Sequence, residues 1–454
     1  MHKKKRISVL IIVCVALAAV GVLGWFLACI FEGEPPHITV EPLPEFLASS
    51  QKLVIQVEDK NRGLRRLKIS LDQEGRKISI LERKFPFKGI LNREGVHTFK
   101  TEVLIDPRKL SLAQGRVDLY ARVWDYSRRN GGDGNLSVSH QKLSVDTVPP
   151  AIRVISRLHY INMGGTGLVI YRVSSDTDQS GVFVNNYFFP GVPATSGKEE
   201  GTRVCYFAIP QDMVTQPSLY LWAKDKAGNR STTTFNYHIR KRKFRTERMN
   251  ISDAFILKVL PYFSFYPLDP NATLLEKFLK INNDLRKKNT AFFHELLKKS
   301  SPEKLWDGPW VGLKNAAAMA RFGDRRRYYY KGKLVDKQVH LGLDLASLAH
   351  SDVPASNSGR VVFAGRLGIY GQTVIIDHGQ GLASSYSHLS NIAIAVGGTV
   401  QKGDTIGQTG QTGLAGGDHL HFGVLVDGIF VNPEEWWDKH WIRDNISKKL
   451  ALLR

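Results

Sequence analysis

Between Arg321 and Pro433 glycine recurs too often for any long helix. Gly365, Gly371, Gly379, Gly381, Gly397, Gly398, Gly403, Gly407, Gly410 and Gly413 punctuate short Val/Ile-rich runs such as Val374-Ile375-Ile376. Glycine is costly inside helices but permits positive φ at turns, and in a cleft it lets an extended peptide approach the wall. The stretch is therefore expected to fold as short strands joined by tight turns. Four phrases in it carry chemistry: His340-Leu-Gly-Leu-Asp344, Ser-Tyr-Ser-His388-Leu-Ser, a glycine-rich turn ending at Asp418, and His419-Leu-His421-Phe-Gly-Val.

A catalytic zinc takes about three protein ligands from His and carboxylate and keeps one position open. His340, Asp344 and His421 could supply such a set, with His388 and His419 as two spare imidazoles. His419 and His421 are separated by one residue in an alternating run, so on a strand both project to one face while Leu420 and Phe422 pack behind. Gly342 and the alternation of Leu341, Leu343 and Leu345 predict an extended segment around Asp344.

This region resembles the lysostaphin-type (LytM-like) zinc metallopeptidases, which cleave peptide cross-links of bacterial cell walls. The matching text includes FGDRRRYYY from Phe322, HLGLDLA from His340, the phrase around His388, GDHLHFGV from Gly417 and VNPEEWW from Val431. The resemblance implies that His340, Asp344 and His421 bind one Zn2+ per chain, and that His388 and His419 act on the water or the developing oxyanion. No motif residue of this set is missing. No glutamate stands beside a ligand to serve as base, so a histidine outside the ligand set must move the proton. Tyr328, Tyr329 and Tyr330 are candidates to line the groove, whereas His350, His378 and His440 lie outside the ligand phrases.

Ahead of this region, Met1-His-Lys-Lys-Lys-Arg6 precedes an uncharged apolar run from Ile7 to Phe31. At about 1.5 Å per residue such a run crosses a hydrocarbon core of about 30 Å. It is expected to be a single-pass anchor in the inner (cytoplasmic) membrane. The basic cluster keeps the N-terminus inside, and the catalytic domain lies in the periplasm or extracellular wall space. Cys14 and Cys29 fall in the anchor, which leaves Cys205 without an intrachain disulfide partner.

The pattern from Pro35 to about Arg240 occurs twice. Pro35-Pro36-His-Ile-Thr-Val and Pro149-Pro150-Ala-Ile-Arg-Val open the two units, and Leu119-Tyr-Ala-Arg-Val-Trp-Asp125 and Leu219-Tyr-Leu-Trp-Ala-Lys-Asp225 stand near their ends. The alternation predicts two immunoglobulin-like β-sandwich spacers; envelope proteins are their candidate partners. A basic linker follows at Arg240–Arg248. Helical spacing then appears at Leu274, Leu275, Phe278, Leu279 and Leu285, and again at Phe292, Phe293, Leu296 and Leu297. His294-Glu295 opens a zinc-helix pattern that fails at Lys298.

The expected fold is thus mainly β: a cytoplasmic tail (1–6), a transmembrane anchor (7–31), sandwiches at 32–146 and 147–240, a linker and helical segment (241–310), a peptidase domain (311–440) and a C-terminal tail (441–454). The expected activity is hydrolysis of peptidoglycan peptide, with the helical segment placed to restrain it. The net charge of +21 is read, behind an export anchor, as attraction to anionic wall polymers and lipid headgroups, not nucleic acid. Two rival readings stand beside the enzyme: a non-hydrolytic scaffold that activates a separate wall amidase, and a lipoyl-like membrane adaptor suggested by Val396–Ile406.

Overall fold

The computed structural model describes residues 2–194, 199–213 and 217–453. The protein is mainly β, with one long N-terminal helix, and it divides into two compact units, 1–149 with 226–229, and 150–225 with 230–454.

In the first unit the helix His2–Ile30 takes in the basic residues as well as the apolar run. Its segment Arg6–Ile30 is long and apolar enough to cross a membrane, and side chains such as Leu10, Leu17 and Val20 are exposed along it. Its last carbonyls are taken by the sandwich that follows: Arg128 N–H donates to Ile30 O at 2.8 Å and Arg129 Nε to Phe31 O at 2.7 Å. That sandwich pairs a three-stranded sheet with a five-stranded one. The strand Gly115–Asp125 lies inside the larger sheet and alternates, so Val117, Leu119, Ala121 and Val123 all face the core. Asp125 at its end is buried, and its Oδ1 accepts the backbone N–H of Ser127 and Asn135.

In the second unit a sandwich of two four-stranded sheets repeats the device, with Leu219–Asp225 inside its sheet and Leu219, Leu221 and Ala223 turned inward. Two of its strands do not alternate. Thr166–Val173 and Thr202–Ala208 are buried at nearly every position. A strand covered on both faces reads as a continuous apolar run, and Gly167-Leu-Val-Ile-Tyr171 and Val204-Cys-Tyr-Phe-Ala208 are such runs. What covers the outer face is the rest of the unit: Leu168 and Tyr206 share one core with Trp306, Trp310, Trp436, Ile442 and Ile446. The core of this sandwich runs into that of the peptidase region.

Within the expected tail 441–454, residues 441–453 coil into short helices that bury Ile442, Ile446 and Leu453 in that shared core. Lys449 Nζ is drawn in with them and donates to Leu168 O at 3.0 Å; burial pulls its pKa down to about 8. Glu435 closes the seam, accepting Asn162 Nδ2 and the Thr166 N–H at 2.8 and 2.9 Å, and burial raises its pKa to about 7.

The expected linker is also more ordered than a linker needs to be. Tyr237–Arg240 pairs in parallel with His159–Asn162, and Thr246–Ile251 in parallel with Arg325–Tyr330. Helices Asp253–Val259, Leu274–Lys280 and Arg286–Leu297 follow, the second opened by a capping box between Thr273 and Glu276. They pack on the last region through Phe292 against Phe363 and Phe293 against Tyr370 and Phe430.

That region is an antiparallel sheet. Its order runs Ala317–Ala320, Leu343–Ala346, Leu420–Val426, Leu382–Leu389, Gln372–Gly379, Gly359–Arg366, Thr399–Val400. The lipoyl-like phrase Val396–Ile406 is absorbed here, contributing Thr399–Val400 to this sheet and the start of Thr405–Gln408 to a smaller one.

Candidate metal centre

The centre lies where three neighbouring strands meet. Leu343–Ala346 pairs with Leu420–Val426 so that Asp344 stands opposite His421, and Leu382–Leu389 lies on the other side with Ser387 opposite His421. His340 precedes the first strand and is anchored by backbone bonds: its N–H donates to Asp324 O, and its carbonyl accepts Gly323 N–H. His388 reaches the group through a bulge. Opposite Leu382–Leu389 the register jumps between Gln372 and Val374, and His388 takes φ +65°, in the left-handed region. A bulge re-aims a side chain that regular pleating sends elsewhere, and a non-glycine residue held there signals a functional constraint.

Three donor atoms converge. His340 Nε2 lies 2.9 Å from Asp344 Oδ1 and 3.0 Å from His421 Nδ1, and His421 Nδ1 lies 2.7 Å from Asp344 Oδ1. His340 Nδ1 donates to Arg321 O at 3.0 Å; a carbonyl only accepts, so in the neutral ring Nε2 carries a lone pair. Burial pulls the His421 imidazole down to about pKa 4, so that ring is neutral at neutral pH. Burial opposes ionisation of Asp344, yet the imidazoles of His340 and His421 hold it well below the usual carboxylate range. Two imidazole nitrogens and a carboxylate oxygen aimed at one point are the donor set of a divalent cation with N/O preference. With zinc–ligand bonds of about 2.0–2.1 Å in tetrahedral array, donors stand about 3.3 Å apart, close to what is found. The residues fit zinc.

Their surroundings hold them in place. Arg326 Nη2 binds the second oxygen of Asp344 at 2.8 Å and, through Nε, Glu247 at 3.3 Å. Asp344 is thereby turned to offer Oδ1 alone, the kind of outer contact that orients a metal ligand. Gly342 is required by space: a Cβ there would stand 2.5 Å from His421 Nε2.

The other two histidines share the cavity. His388 Nδ1 donates to Thr412 O at 2.7 Å and His419 Nδ1 to Gly417 O at 2.9 Å, so each keeps Nε2 free for chemistry. Their ring centroids are 4.9 Å apart, and His419 Nε2 stands 3.6 Å from Asp344 Oδ1. Burial, reinforced by the neighbouring His419 and His421, keeps His388 neutral by pushing its pKa well below the usual histidine value.

A cavity of about 330 Å³ is lined by all five residues together with Arg326, Arg286, Tyr328, Tyr370, Phe255 and Leu414. Of the three tyrosines, Tyr328 reaches it. Tyr329 instead lies under the Arg248 guanidinium and Tyr330 donates to Asp253. His378 is buried elsewhere between Ser358 O and Ser384 Oγ, and His350 and His440 are exposed. The sequence reading missed Arg326, Tyr370 and Arg286. Parity offered a signal for the first, since Arg326 and Tyr328 share one face of Arg325–Tyr330 while Arg325 and Arg327 are exposed.

The family model for peptidase family M23 matches residues 338–433. Those residues are an M23 peptidase domain. Over 96 residues the chain is 41% identical to the DD-carboxypeptidase/endopeptidase Mpg of Neisseria meningitidis, covering 21% of this chain and 22% of that one. It is 38% identical over 100 residues to the peptidoglycan DD-endopeptidase ShyA of Vibrio cholerae, covering 22% and 23%. It is 33% identical over 95 residues to the murein hydrolase activator EnvC of Escherichia coli, covering 21% and 23%. The chain thus spans under a quarter of the length of each of these relatives, and what they share is the M23 domain.

Proposed function

We propose that this protein is a membrane-anchored zinc metalloendopeptidase that hydrolyses peptide cross-links of peptidoglycan. The observation that carries the proposal is the convergence of His340 Nε2, Asp344 Oδ1 and His421 Nδ1 within 3.0 Å, at a cavity that also holds two further imidazoles. Zinc held there would supply Lewis acidity, acidifying water and polarising an amide carbonyl. His388 Nε2, neutral and unprotonated, accepts the proton of the attacking water. His388, as the imidazolium so formed, returns that proton to the departing amine, while His419, beside it and on the same strand face as His421, donates from Nε2 toward the oxyanion in its doubly protonated form and keeps its proton. Water's oxygen ends on the carbonyl carbon, and the amine nitrogen takes the proton.

The experiment is digestion of purified sacculi and defined muropeptides by the full chain, with products identified by mass spectrometry. Release of cross-link fragments is expected, stopped by a chelator and restored by Zn2+. Protein that binds zinc yet cleaves no peptidoglycan of any type would favour the activator role that one relative's name carries.

The helical segment Arg6–Ile30 is read as an uncleaved inner-membrane anchor that leaves the M23 domain in the periplasm or wall space, because among the described residues its apolar side chains from Ile7 to Leu27 are exposed. Protein recovered from cell membranes is expected to retain residues 1–31; an N-terminus beyond about residue 25 would overturn that reading.

A further inference from the structure

The cavity beside the donor atoms is lopsided in charge. Asp344 is the one carboxylate among its lining residues, and Arg326 already binds it. The second guanidinium, Arg286, has no such partner. It lies within the continuous helical run from Leu274 to Leu297, outside the M23 domain, and is oriented by neutral groups: Nε donates to Asn282 O at 3.1 Å and Nη2 to Asn282 Oδ1. Asn282 is steadied in turn by Asp336, to which its Nδ2 donates at 2.7 Å. Among the described residues no carboxylate lies within ion-pair distance of Arg286. A fixed, unneutralised guanidinium facing a site for a divalent cation selects an anionic ligand, and its planar fork suits a carboxylate. The apolar walls from Met249, Phe255 and Leu414 suit a small alkyl side chain.

We infer that Arg286 is a specificity residue, and that the site takes peptides with a free carboxylate on the carbon bonded to the scissile nitrogen. The inference rests on the hydrolase reading above. Two substrates share that chemistry: a D-alanyl–diaminopimelate cross-link, whose acyl-acceptor centre keeps its carboxylate, and a terminal D-alanyl-D-alanine. The interior of a glycine bridge has no charge there. On this account the helical segment is half of the substrate site, not a removable cover.

The test uses the full chain, its Arg286→Ala and Arg286→Lys variants, and four substrates. These are a diaminopimelate-cross-linked muropeptide, the same molecule with that carboxylate converted to carboxamide, a stem peptide ending in D-alanyl-D-alanine, and pentaglycine. A charge-assisted bond of this kind is worth on the order of tenfold to a hundredfold. Unmodified protein is expected to show a KM at least about tenfold lower for the carboxylate than for the carboxamide form. Arg286→Ala should erase that difference with kcat changed little, and Arg286→Lys should restore part of it. The better cleaved of the first and third substrates identifies the carboxylate's source. Equal cleavage of carboxamide or pentaglycine by the unmodified protein, or an equal loss on both forms in Arg286→Ala, would overturn the proposal. If the unmodified protein cleaves nothing, the hydrolase reading fails separately. Calorimetric titration of the carboxylate and carboxamide pair then decides: a preference lost in Arg286→Ala keeps the inference, and equal binding ends it.

Discussion

Replacing His421 with alanine is expected to remove both zinc and activity, whereas replacing His419 should remove activity alone. His421 Nδ1 is one of three donor atoms within 3.0 Å of one another, and the ring is buried. Without it two protein donors remain, too few for the usual site, so metal content should fall well below one per chain after dialysis. His419 lies 3.6 Å from Asp344 Oδ1 and is partly exposed, with its Nδ1 on Gly417 O. Its removal leaves the three donors as they were, and zinc should stay near one per chain. Turnover should nevertheless drop by on the order of a hundredfold or more, the usual worth of a positioned acid–base or oxyanion group. His388→Ala should resemble His419→Ala. Zinc content by mass spectrometry, read beside hydrolysis, separates the roles. Full hydrolysis by His419→Ala would refute the mechanism, and stoichiometric zinc in His421→Ala would refute the ligand assignment.

The second large effect concerns the core shared by the second sandwich and the M23 region. Trp436 is fully buried, with its ring centroid 5.1 Å from Trp310, 5.4 Å from Trp306 and 6.3 Å from Tyr206 of the sandwich. Cutting such a side chain to alanine costs about 3–5 kcal/mol, a large part of the roughly 5–15 kcal/mol that holds a typical domain folded. Trp436→Ala should therefore lower the melting temperature markedly without touching a donor atom. Removing the sandwich altogether should do more. A chain beginning near Trp306 loses Leu168 and Tyr206 from that core, and with the helical segment it loses Phe293 from Tyr370 and Phe430. The position of the helical segment suggests that such a chain, freed of restraint, would cleave faster. The packing predicts instead a protein that is poorly soluble and slow. Calorimetry and wall-digestion rates of the shortened and full chains decide it, and an unchanged melting temperature for the shortened chain would refute the shared-core account.

Much was written locally. The glycine-punctuated runs, the alternation in Leu119–Asp125 and Leu219–Asp225 and the apolar run after Arg6 each specify their element through neighbours one to four residues away, which is why the mainly β fold was legible. His340 with Asp344, and His419 with His421, could be named because each pair sits in a short phrase whose spacing implies a shared face, whereas His388 was named from the resemblance of its phrase to the family.

Three things needed the tertiary structure. Thr166–Val173 shows by its unbroken apolar run that both faces are covered, but not that short C-terminal helices and Trp436 cover one of them. The bulge that turns His388 into the cavity depends on a register set by the strand opposite, which no local pattern encodes. Arg326 and Arg286 look like ordinary surface cations in the sequence. Only the fold shows that one is bound to Asp344, while the other faces the same cavity with no carboxylate beside it among the described residues. A charge acquires its role from what is left unpaired around it, and the pairing of Arg326 with Asp344 joins residues 18 positions apart.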